Sequence, residues 1–229
     1  LLRNCNERLF DFCLQLRSKE AVWEEIGPWH HSPQPLLHIS SRFGAPRHNM
    51  ALVWPLALNP VNKNELLVWD LMQNPRELLD LDVATLRQRL FTRAADLPEG
   101  VTRLGLKGIH VNKSPVVIRN LKVLTPEVLE RTGMPLSIQQ AHADLARQHA
   151  EDLKSLPWHQ IYAREPQMLD ADQDLYGGFV SDSDRRELDR LRSLDASGWT
   201  QVRVRLQDAR LQTLVERYQA RHWPDTLDE

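Results

Sequence analysis

The chain has 229 residues, of which 41% are hydrophobic and 26% are charged, and its formal net charge is −2. This composition is typical of a globular protein with one large domain or two modest ones, and it argues against a disordered chain. The net charge excludes a nucleic-acid-binding protein of the strongly basic kind. A local stripe of lysine and arginine would still suffice to bind nucleic acid. The sequence has neither the ~20 consecutive apolar residues of a membrane span nor a signal-peptide pattern.

The N-terminal pattern predicts a helix over residues 1–18 and a short helix over 19–26 that ends at Gly27. Cys5 and Cys13 would lie about 12 Å apart on the first helix, too far for a disulfide. We therefore expect reduced cysteines and a cytoplasmic location. Because the chain starts inside a helical pattern without an initiator methionine, and stops just after residues 223–227 with no tail, we also expect a fragment of a longer protein.

Short apolar or alternating runs predict strands in the next part of the chain. These runs cover residues 36–43, 50–58, 65–69 and 116–118. Helices near 75–80 and 83–92 interrupt them, and Asp82 is expected to cap the second helix. Several short strands separated by turns fit a small, partly open barrel better than a parallel sheet.

Helical patterns dominate from residue 124 onward. Thr125 and Pro126 predict the start of a helix that Gly133 ends. Further helices are predicted over 137–153, 182–194 and 208–221. Ser181, followed three residues later by Asp184, resembles a capping box for the helix over 182–194. The sequence thus predicts an α+β chain: a small barrel with inserted helices, then a mainly helical domain beyond a polar linker at 165–174.

Catalytic and metal-binding patterns are missing from the sequence. It contains no glycine-rich phosphate loop, no cysteine–histidine metal spacing and no nucleophile elbow. His30 and His31 are adjacent and are expected to point apart, whereas His142 and His149 could share a helix face. Ordinary surface histidines are the expected outcome, because metal ligands need convergent geometry.

The acidic segment Asp170–Asp174 begins like a calcium-binding loop. The EF-hand pattern requires glycine at its sixth position and glutamate at its twelfth, where this chain has Leu175 and Ser181. We therefore expect a solvated acidic linker.

The run His110-Val-Asn-Lys-Ser-Pro115 is the first candidate binding feature. Alternation along a strand end would put His110 and Asn112 on one face and Lys113 on the other, with Lys107 just upstream. Such donors suit contacts to phosphate and sugar. An ordinary polar strand edge, where lysine deters unwanted pairing, is the competing interpretation.

Aromatic and basic residues in turns supply further candidates. Tyr176 and Phe179 surround a glycine pair and could stack on bases, or could equally anchor the linker to a core. Arg47, near the first barrel turn, and Asn64, near the second, could add a polar and basic rim. A role in keeping the protein surface soluble would explain the presence of these two residues equally well.

Six motifs in series resemble bacterial exonuclease I, a family of processive 3′→5′ exodeoxyribonucleases that act on single-stranded DNA. They are Arg8–Phe12, Phe43–Arg47, Thr85–Leu90, His110–Pro115, Leu175–Arg185 and Arg217–Leu227. The family has a nuclease domain that holds Mg²⁺ on acidic residues, then an SH3-like barrel and a C-terminal helical domain. The resemblance covers the last two domains only and implies that this chain contains no catalytic or metal-binding residue.

The resemblance also implies boundaries and DNA contacts. Residues 1–18 would be a terminal helix of the nuclease domain, 19–164 the SH3-like domain with a helical extension, and 165–229 part of the helical domain. The family encloses single-stranded DNA in a clamp. The matching motifs assign contacts to Lys107, Asn112, Asn64 and Tyr176, and the residue patterns add His110, Lys113, Phe179 and Arg47.

Family members also bind the acidic, Phe-terminated tail of single-stranded-DNA-binding protein in a pocket with a basic rim. Phe12 resembles the aromatic residue of that pocket. The rim departs from the family pattern, since Gln34, Thr125 and His149 stand at its basic positions. Arg131 and Arg147 are candidate substitutes. His149 itself is retained as a candidate contact.

Two hypotheses follow for a chain that we expect to be monomeric. In the first, it is the non-catalytic part of an exonuclease I that holds single-stranded DNA, with Mg²⁺ bound only in the nuclease domain. In the second, it is a protein-interaction module that docks the acidic tail without contacting DNA.

Overall fold

The computed structural model describes residues 2–163, 169–174 and 177–226. The chain forms two compact units, residues 1–164 and residues 165–229. The first unit contains a five-stranded sheet flanked by helices, and the described part of the second is helical. The predicted α+β fold class is confirmed.

The N-terminal residues form two helices where one was predicted, α1 (Leu2–Cys5) and α2 (Glu7–Gln15). Asn6 separates them, because its backbone is extended and its Oδ1 accepts a hydrogen bond from Leu9 N at 3.0 Å. Asn6 therefore caps α2 and ends the preceding turn. The two cysteines lie on different helices, and both thiols are free.

All five strands belong to one antiparallel sheet with the spatial order β4-β3-β2-β1-β5. They are β1 (Leu36–Ile39), β2 (Met50–Asn59), β3 (Asn62–Asp70), β4 (Leu106–His110) and β5 (Val116–Ile118). The register of β2 against β3 shifts between Pro55 and Ala57. Since proline has no N–H to donate to the ladder, an irregularity is expected there.

Alternation along the strands builds a separate core on each face of the sheet. One face carries Trp54 and Trp69, each at most 1% exposed, and we call the core around them the main cluster. The other carries Val53, Leu66 and Val68, and we call its core the α3 cluster, after the helix α3 (Lys19–Ile26). Val22 and Ile26 of α3 are buried in it.

The remaining helices of the first unit pack mainly against the main cluster. They are α4 (Glu77–Asp80), α5 (Val83–Phe91), α6 (Pro126–Thr132), α7 (Leu136–Gln148), α8 (Ala150–Lys154) and α9 (Trp158–Ile161). The predicted cap of α5 is confirmed, since Thr85 N donates to Asp82 Oδ1 at 2.7 Å. Gly133 ends α6 in the left-handed conformation, also as predicted. The single helix predicted over 137–153 is two helices, which meet at His149.

The second unit contains α10 (Asp182–Arg192), α11 (Ala196–Gln201) and α12 (Ala209–His222). Its core centres on Leu191, Trp199 and Val215. The sequence did not predict α11, a short helix that Asp195 caps by accepting from Gly198 N at 2.9 Å. In the ranges that the structure describes, no helix has the length and apolar character needed to cross a membrane.

Candidate nucleic-acid interface

Pairing of β3 with β4 sets the positions of the candidate residues in the first unit. Val68 lies opposite Lys107 and Glu65 lies opposite His110. Directly opposite residues share a face of the sheet. Lys107 therefore lies on the face of the α3 cluster, and so does Asn64, which alternates with Glu65. His110 lies on the other face.

Asn64 makes three hydrogen bonds within the first unit. Its backbone N–H donates to Asn62 Oδ1 at 3.1 Å, and its carbonyl accepts from Val111 N at 2.9 Å. Its side-chain Oδ1 accepts from Lys19 Nζ at 2.7 Å. Asn64 is thus fixed by three neighbours before any ligand binds.

Lys107 is a half-buried cation. Burial lowers the pKa of its ammonium group, and the charges of Arg103, Arg42 and Arg47 lower it further, whereas Asp70 opposes the shift. Within the described ranges, no carboxylate oxygen lies within 4.0 Å of Lys107 Nζ. The position therefore favours binding of an anion, which would relieve the repulsion among these cations.

Arg47 is held by Asp70, which is only 5% exposed. Its two terminal nitrogens donate to Asp70 Oδ2 at 2.5 Å and Oδ1 at 3.0 Å. Its guanidinium also lies 5.3 Å from the centre of the Phe43 ring. Arg47 therefore already has a carboxylate partner, unlike Lys107.

His110 has an acidic neighbour on its face of the sheet. Its Nε2 lies 3.7 Å from Glu65 Oε1, and Glu65 also accepts from Asn59 Nδ2 at 2.8 Å. Gly108, next to this pair, leaves room for the Glu65 side chain, whose carboxylate occupies the space of a Cβ. The side chains of His110 and Lys107 therefore lie on different faces of the sheet.

Asn112 and Lys113 do not continue the strand, so the alternation predicted for them is wrong. β4 ends at His110, and Lys113 N donates to His110 O at 3.0 Å in a tight turn. Ser114 has a positive φ of 46°, and the chain changes direction there before it enters β5. Asn112 and Lys113 are both exposed on this turn.

In the second unit, Phe179 is fully exposed, whereas Tyr176 lies outside the described residues. The interpretation of Phe179 as a core anchor is therefore wrong. A Cβ added at Gly178 would lie 2.8 Å from Nη2 of Arg210. Arg210 Nη1 donates to the Asp174 carbonyl at 2.7 Å, so this arginine ties the segment before Phe179 to α12.

The start of α10 confirms the predicted cap at Ser181, whose Oγ accepts from Asp184 N at 3.1 Å. The Asp184 carboxylate is buried and accepts from Gln207 N at 2.9 Å and from Asp208 N at 3.3 Å. Asp182 adds another negative charge to the first turn. Both charges make this helix start a poor site for phosphate.

Asp170 and Asp172 in the acidic segment are exposed to solvent, as predicted, but both also form ion pairs. Arg217 donates to Asp170 Oδ1 at 2.5 Å and Oδ2 at 2.7 Å, and it also bonds to Asp172. These bonds hold the pKa of the Asp170 carboxyl well below its usual value. The segment is therefore bound to α12 through ion pairs.

The candidate partner-binding residues lie in separate contacts. Phe12 packs against the α3 cluster. Arg147 lies 5.8 Å from the ring centre of Trp54, in the main cluster, and pairs with Asp144 at 2.5 Å. His149 Nδ1 lies 3.3 Å from Asp152 Oδ2, and Arg131 is exposed. In the described part of the chain, no hydrogen bond, ion pair or ring contact joins Phe12 to any of these three.

An open groove of about 520 Å³ lies between α2 and α3. Its lining is Asp11, Leu14, Gln15, Arg17 and Ala21. One acidic and one basic side chain border it, so its charge does not select an acidic peptide.

Among the described residues, no group of three or more His, Cys, Asp or Glu side chains could hold a metal ion. His30 and His31 do not point apart as predicted. Their rings lie 4.3 Å apart, because they occupy a turn after α3 and not a regular element.

Sequence reasoning missed Lys19, Arg103 and Asp70, which all adjoin candidate residues. Lys19 lies 45 positions from Asn64, and only the packing of α3 on the sheet brings them together. Asp70 could have been suspected, because it is a charged residue that ends an otherwise apolar run.

Two family models match the chain. Residues 17–164 match the exonuclease I SH3-like domain, and residues 169–229 match the exonuclease I C-terminal domain. Exodeoxyribonuclease I of Escherichia coli K12 is 31% identical over 242 residues, which cover 100% of this chain and 47% of that protein. The chain thus spans about half the length of the curated relatives it matches.

Solved structures of exonuclease I are also similar to this chain in both sequence and fold. The metal-free form of an E. coli exonuclease I–ssDNA complex has 31% identity and a TM-score of 0.77, covering 100% of this chain and 49% of that one. A moderately thermophilic exonuclease I from Methylocaldum szegediense has 34% identity and a TM-score of 0.72, covering 99% and 47%. The chain therefore belongs to the exonuclease I family.

Proposed function

We propose that this chain is the non-catalytic part of an exonuclease I, which holds single-stranded DNA while a nuclease domain degrades the strand processively from its 3′ end. The observation that carries the proposal is the half-buried Lys107 ammonium, which shares a sheet face with Asn64 and has no carboxylate partner in the described residues. Lysine and amide donors suit contacts to the sugar-phosphate backbone, which position a strand without reading its sequence.

Binding should not depend on base sequence. The fully exposed ring of Phe179 offers a stacking surface, and every base has a face on which such a ring can stack. The E. coli relative was solved as a complex with single-stranded DNA. In this proposal, Mg²⁺ and the catalytic carboxylates belong to a nuclease domain, which neither matching family model describes.

A binding titration tests the proposal. A fluorescently labelled oligothymidine is titrated with the chain at about 50 mM and about 200 mM salt, and anisotropy is recorded. We expect affinity to fall with salt, with a slope of about 0.7 per phosphate contact in a log–log plot. Duplex DNA should compete poorly, and the oligonucleotide should remain intact when Mg²⁺ is added.

Two variants and one control sharpen the test. Replacing Lys107 and Asn64 together by alanine should weaken binding, and so should Lys113→Ala combined with Tyr176→Ala. Lys122→Gln is the control, because Lys122 is exposed and follows β5, at the opposite edge of the sheet from β4. Binding of an acidic Phe-terminated peptide without binding of oligothymidine would replace this proposal with the protein-interaction hypothesis.

A further inference from the structure

Arg210, in the first turn of α12, makes a contact through every nitrogen of its guanidinium group. Its Nε and Nη2 donate to the two carboxylate oxygens of Asp208 at 3.1 and 2.6 Å. Its Nη1 donates to the carbonyl of Asp174 at 2.7 Å and lies 3.4 Å from the carboxylate of the same residue. The Arg210 side chain is only 23% exposed. These contacts hold its planar group in one orientation within the second unit.

Asp208 connects this guanidinium group to the start of α10. Asp208 Oδ1 caps α12 by accepting from Arg210 N at 2.9 Å, and Asp208 N donates to Asp184 Oδ2 at 3.3 Å. Asp184 belongs to α10 and is 2% exposed. Arg210 is thus fixed to both α10 and α12, and a segment that it binds is fixed to the same two helices.

The segment that Arg210 binds is the turn that leads to Phe179. The Asp174 carbonyl accepts from Gly177 N at 3.2 Å as well as from Arg210. Gly178 lies against the guanidinium group, since a Cβ at this position would be 2.8 Å from Nη2. Only glycine, which has no Cβ, permits so close an approach. The backbone immediately before Phe179 therefore packs on Arg210.

The backbone is fixed on both sides of Phe179, while the ring itself contacts no core. After Phe179, the Ser181 hydroxyl caps α10 by accepting from Asp184 N at 3.1 Å. The Phe179 side chain is fully exposed. Fixing the backbone around an exposed apolar ring buries none of its surface. It does reduce the conformational entropy that the ring loses when it binds a ligand.

We infer that Arg210 is a positioning residue for DNA binding, which holds the turn before Phe179 so that this ring is oriented for stacking on a base. Arg210 acts through Phe179 and does not contact the strand itself. The inference rests on the proposed function and adds to it a residue outside the interface. Because ordering one side chain costs a modest part of the binding free energy, loss of Arg210 should weaken binding about threefold. The loss should not exceed that caused by removing the ring.

Two other roles for Arg210 make different predictions. A direct contact with phosphate depends on positive charge, so Arg210→Lys would keep the affinity and Arg210→Gln would flatten the salt dependence by about 0.7 in log–log slope. A purely structural role would weaken binding whether or not Phe179 is present. In the positioning role, Arg210→Lys should weaken binding as much as Arg210→Gln, because a lysine ammonium cannot reproduce the planar arrangement of donors. The salt slope should stay unchanged.

The experiment is the oligothymidine titration of the whole chain carrying Arg210→Gln, Arg210→Lys or Gly178→Ala. Each substitution is made in the unaltered chain and in the Phe179→Ala variant. Arg192→Gln is the charge-matched control, since that side chain is 78% exposed. In the unaltered chain, we expect each of the three substitutions to weaken binding about threefold. In the Phe179→Ala variant, they should have no further effect, because the ring that they misplace is gone.

Gly178→Ala keeps the test decisive if an arginine variant unfolds the second unit. Its methyl group would displace the Arg210 guanidinium from the turn, while the charge of Arg210 and the backbone cap at Asp208 remain. The melting temperature of every variant is measured under the same conditions, so that a folding defect is recognised.

Three results would overturn the inference: Arg210→Gln binding like Arg192→Gln, Arg210→Lys keeping full affinity, or losses that persist in the Phe179→Ala variant. Normal binding by Phe179→Ala alone would also overturn it, and would leave the proposed function standing. Failure of the unaltered chain to bind oligothymidine is a separate outcome, which overturns the proposed function itself.

Discussion

Arg47 donates through both of its terminal nitrogens to the two carboxylate oxygens of Asp70, at 2.5 and 3.0 Å. The Asp70 side chain is 7% exposed and that of Arg47 is 32% exposed, so the pair is buried on the acidic side and open to solvent on the basic side. Asp70 also accepts from Met72 N at 3.0 Å, where the chain leaves β3. The pair therefore links the turn before β2 to the end of β3.

Arg47→Ala should destabilise the first unit. The substitution leaves the buried Asp70 carboxylate with fewer partners, which costs about 2 kcal/mol in the free energy of unfolding. Urea denaturation measures this loss. Arg42→Ala is the control, and it should change stability by less than about 0.5 kcal/mol, since Arg42 is exposed. Equal effects of the two substitutions would show that the Asp70 pair contributes nothing specific.

Binding of DNA should weaken as the pH rises towards the pKa of Lys107, which lies below the usual lysine value. Its pKa is lowered by burial and by Arg103, Arg42 and Arg47. Lysine binds phosphate in its charged form, and this form is lost as the pH rises through the lowered pKa. Lys107→Arg should remove this loss of affinity, because arginine stays charged. Anisotropy titrations at constant ionic strength, from neutral pH up to the usual lysine pKa near 10.4, measure it. Identical pH profiles for both proteins would contradict the prediction.

Phe179→Ala should weaken DNA binding without changing stability. The ring is fully exposed, so its removal takes no contact from the core. Loss of one base–aromatic stack costs about 1–3 kcal/mol, which corresponds to a loss of affinity of at least about fivefold. Phe179→Trp should keep the affinity, because its ring also stacks. An alanine variant that binds normally would exclude Phe179 from the interface.

Gly108→Ala should destabilise the sheet through Glu65. The new methyl group would occupy the space of the Glu65 carboxylate and displace it from Asn59, whose side chain is buried. We expect a loss of about 1–3 kcal/mol in the free energy of unfolding, the cost of an unsatisfied buried polar group. The double variant Gly108→Ala/Glu65→Ala should be destabilised by less than the sum of its two single variants, which denaturant titrations would measure. Strictly additive losses would show that the methyl group and the carboxylate do not compete for the same space.

Local features of this fold were predictable from the sequence, whereas contacts between distant segments were not. The caps at Asp82, Thr125 and Ser181 depend on residues three positions away, and all three are confirmed. The contact of Lys19 with Asn64 depends on how α3 packs on the sheet, for which no local pattern exists. The sequence did not predict the turn after His110, because the alternation of side chains along a strand does not indicate where that strand ends.

Arg217→Gln should lower the stability of the second unit at neutral pH but not in strong acid. The hydrogen bonds from Arg217 lower the pKa of Asp170, so this ion pair stabilises the fold above the ordinary carboxyl pKa, near 4. That contribution is lost as the pH falls through the lowered pKa, because protonated Asp170 no longer pairs with the guanidinium. The difference between the two proteins should therefore be constant near neutrality and vanish at low pH.

Hydrogen exchange of the α12 amides, followed as a function of pH, measures this difference. Arg192→Gln is the matched control, since its pair with Asp189 is 3.4 Å long and highly exposed on both sides, and such pairs contribute little. A difference that persists in strong acid would mean that Arg217 stabilises α12 through packing of its side chain and not through its charge. Because Arg217 joins α12 to the segment that precedes Phe179, its removal should also increase exchange at residues 170–174.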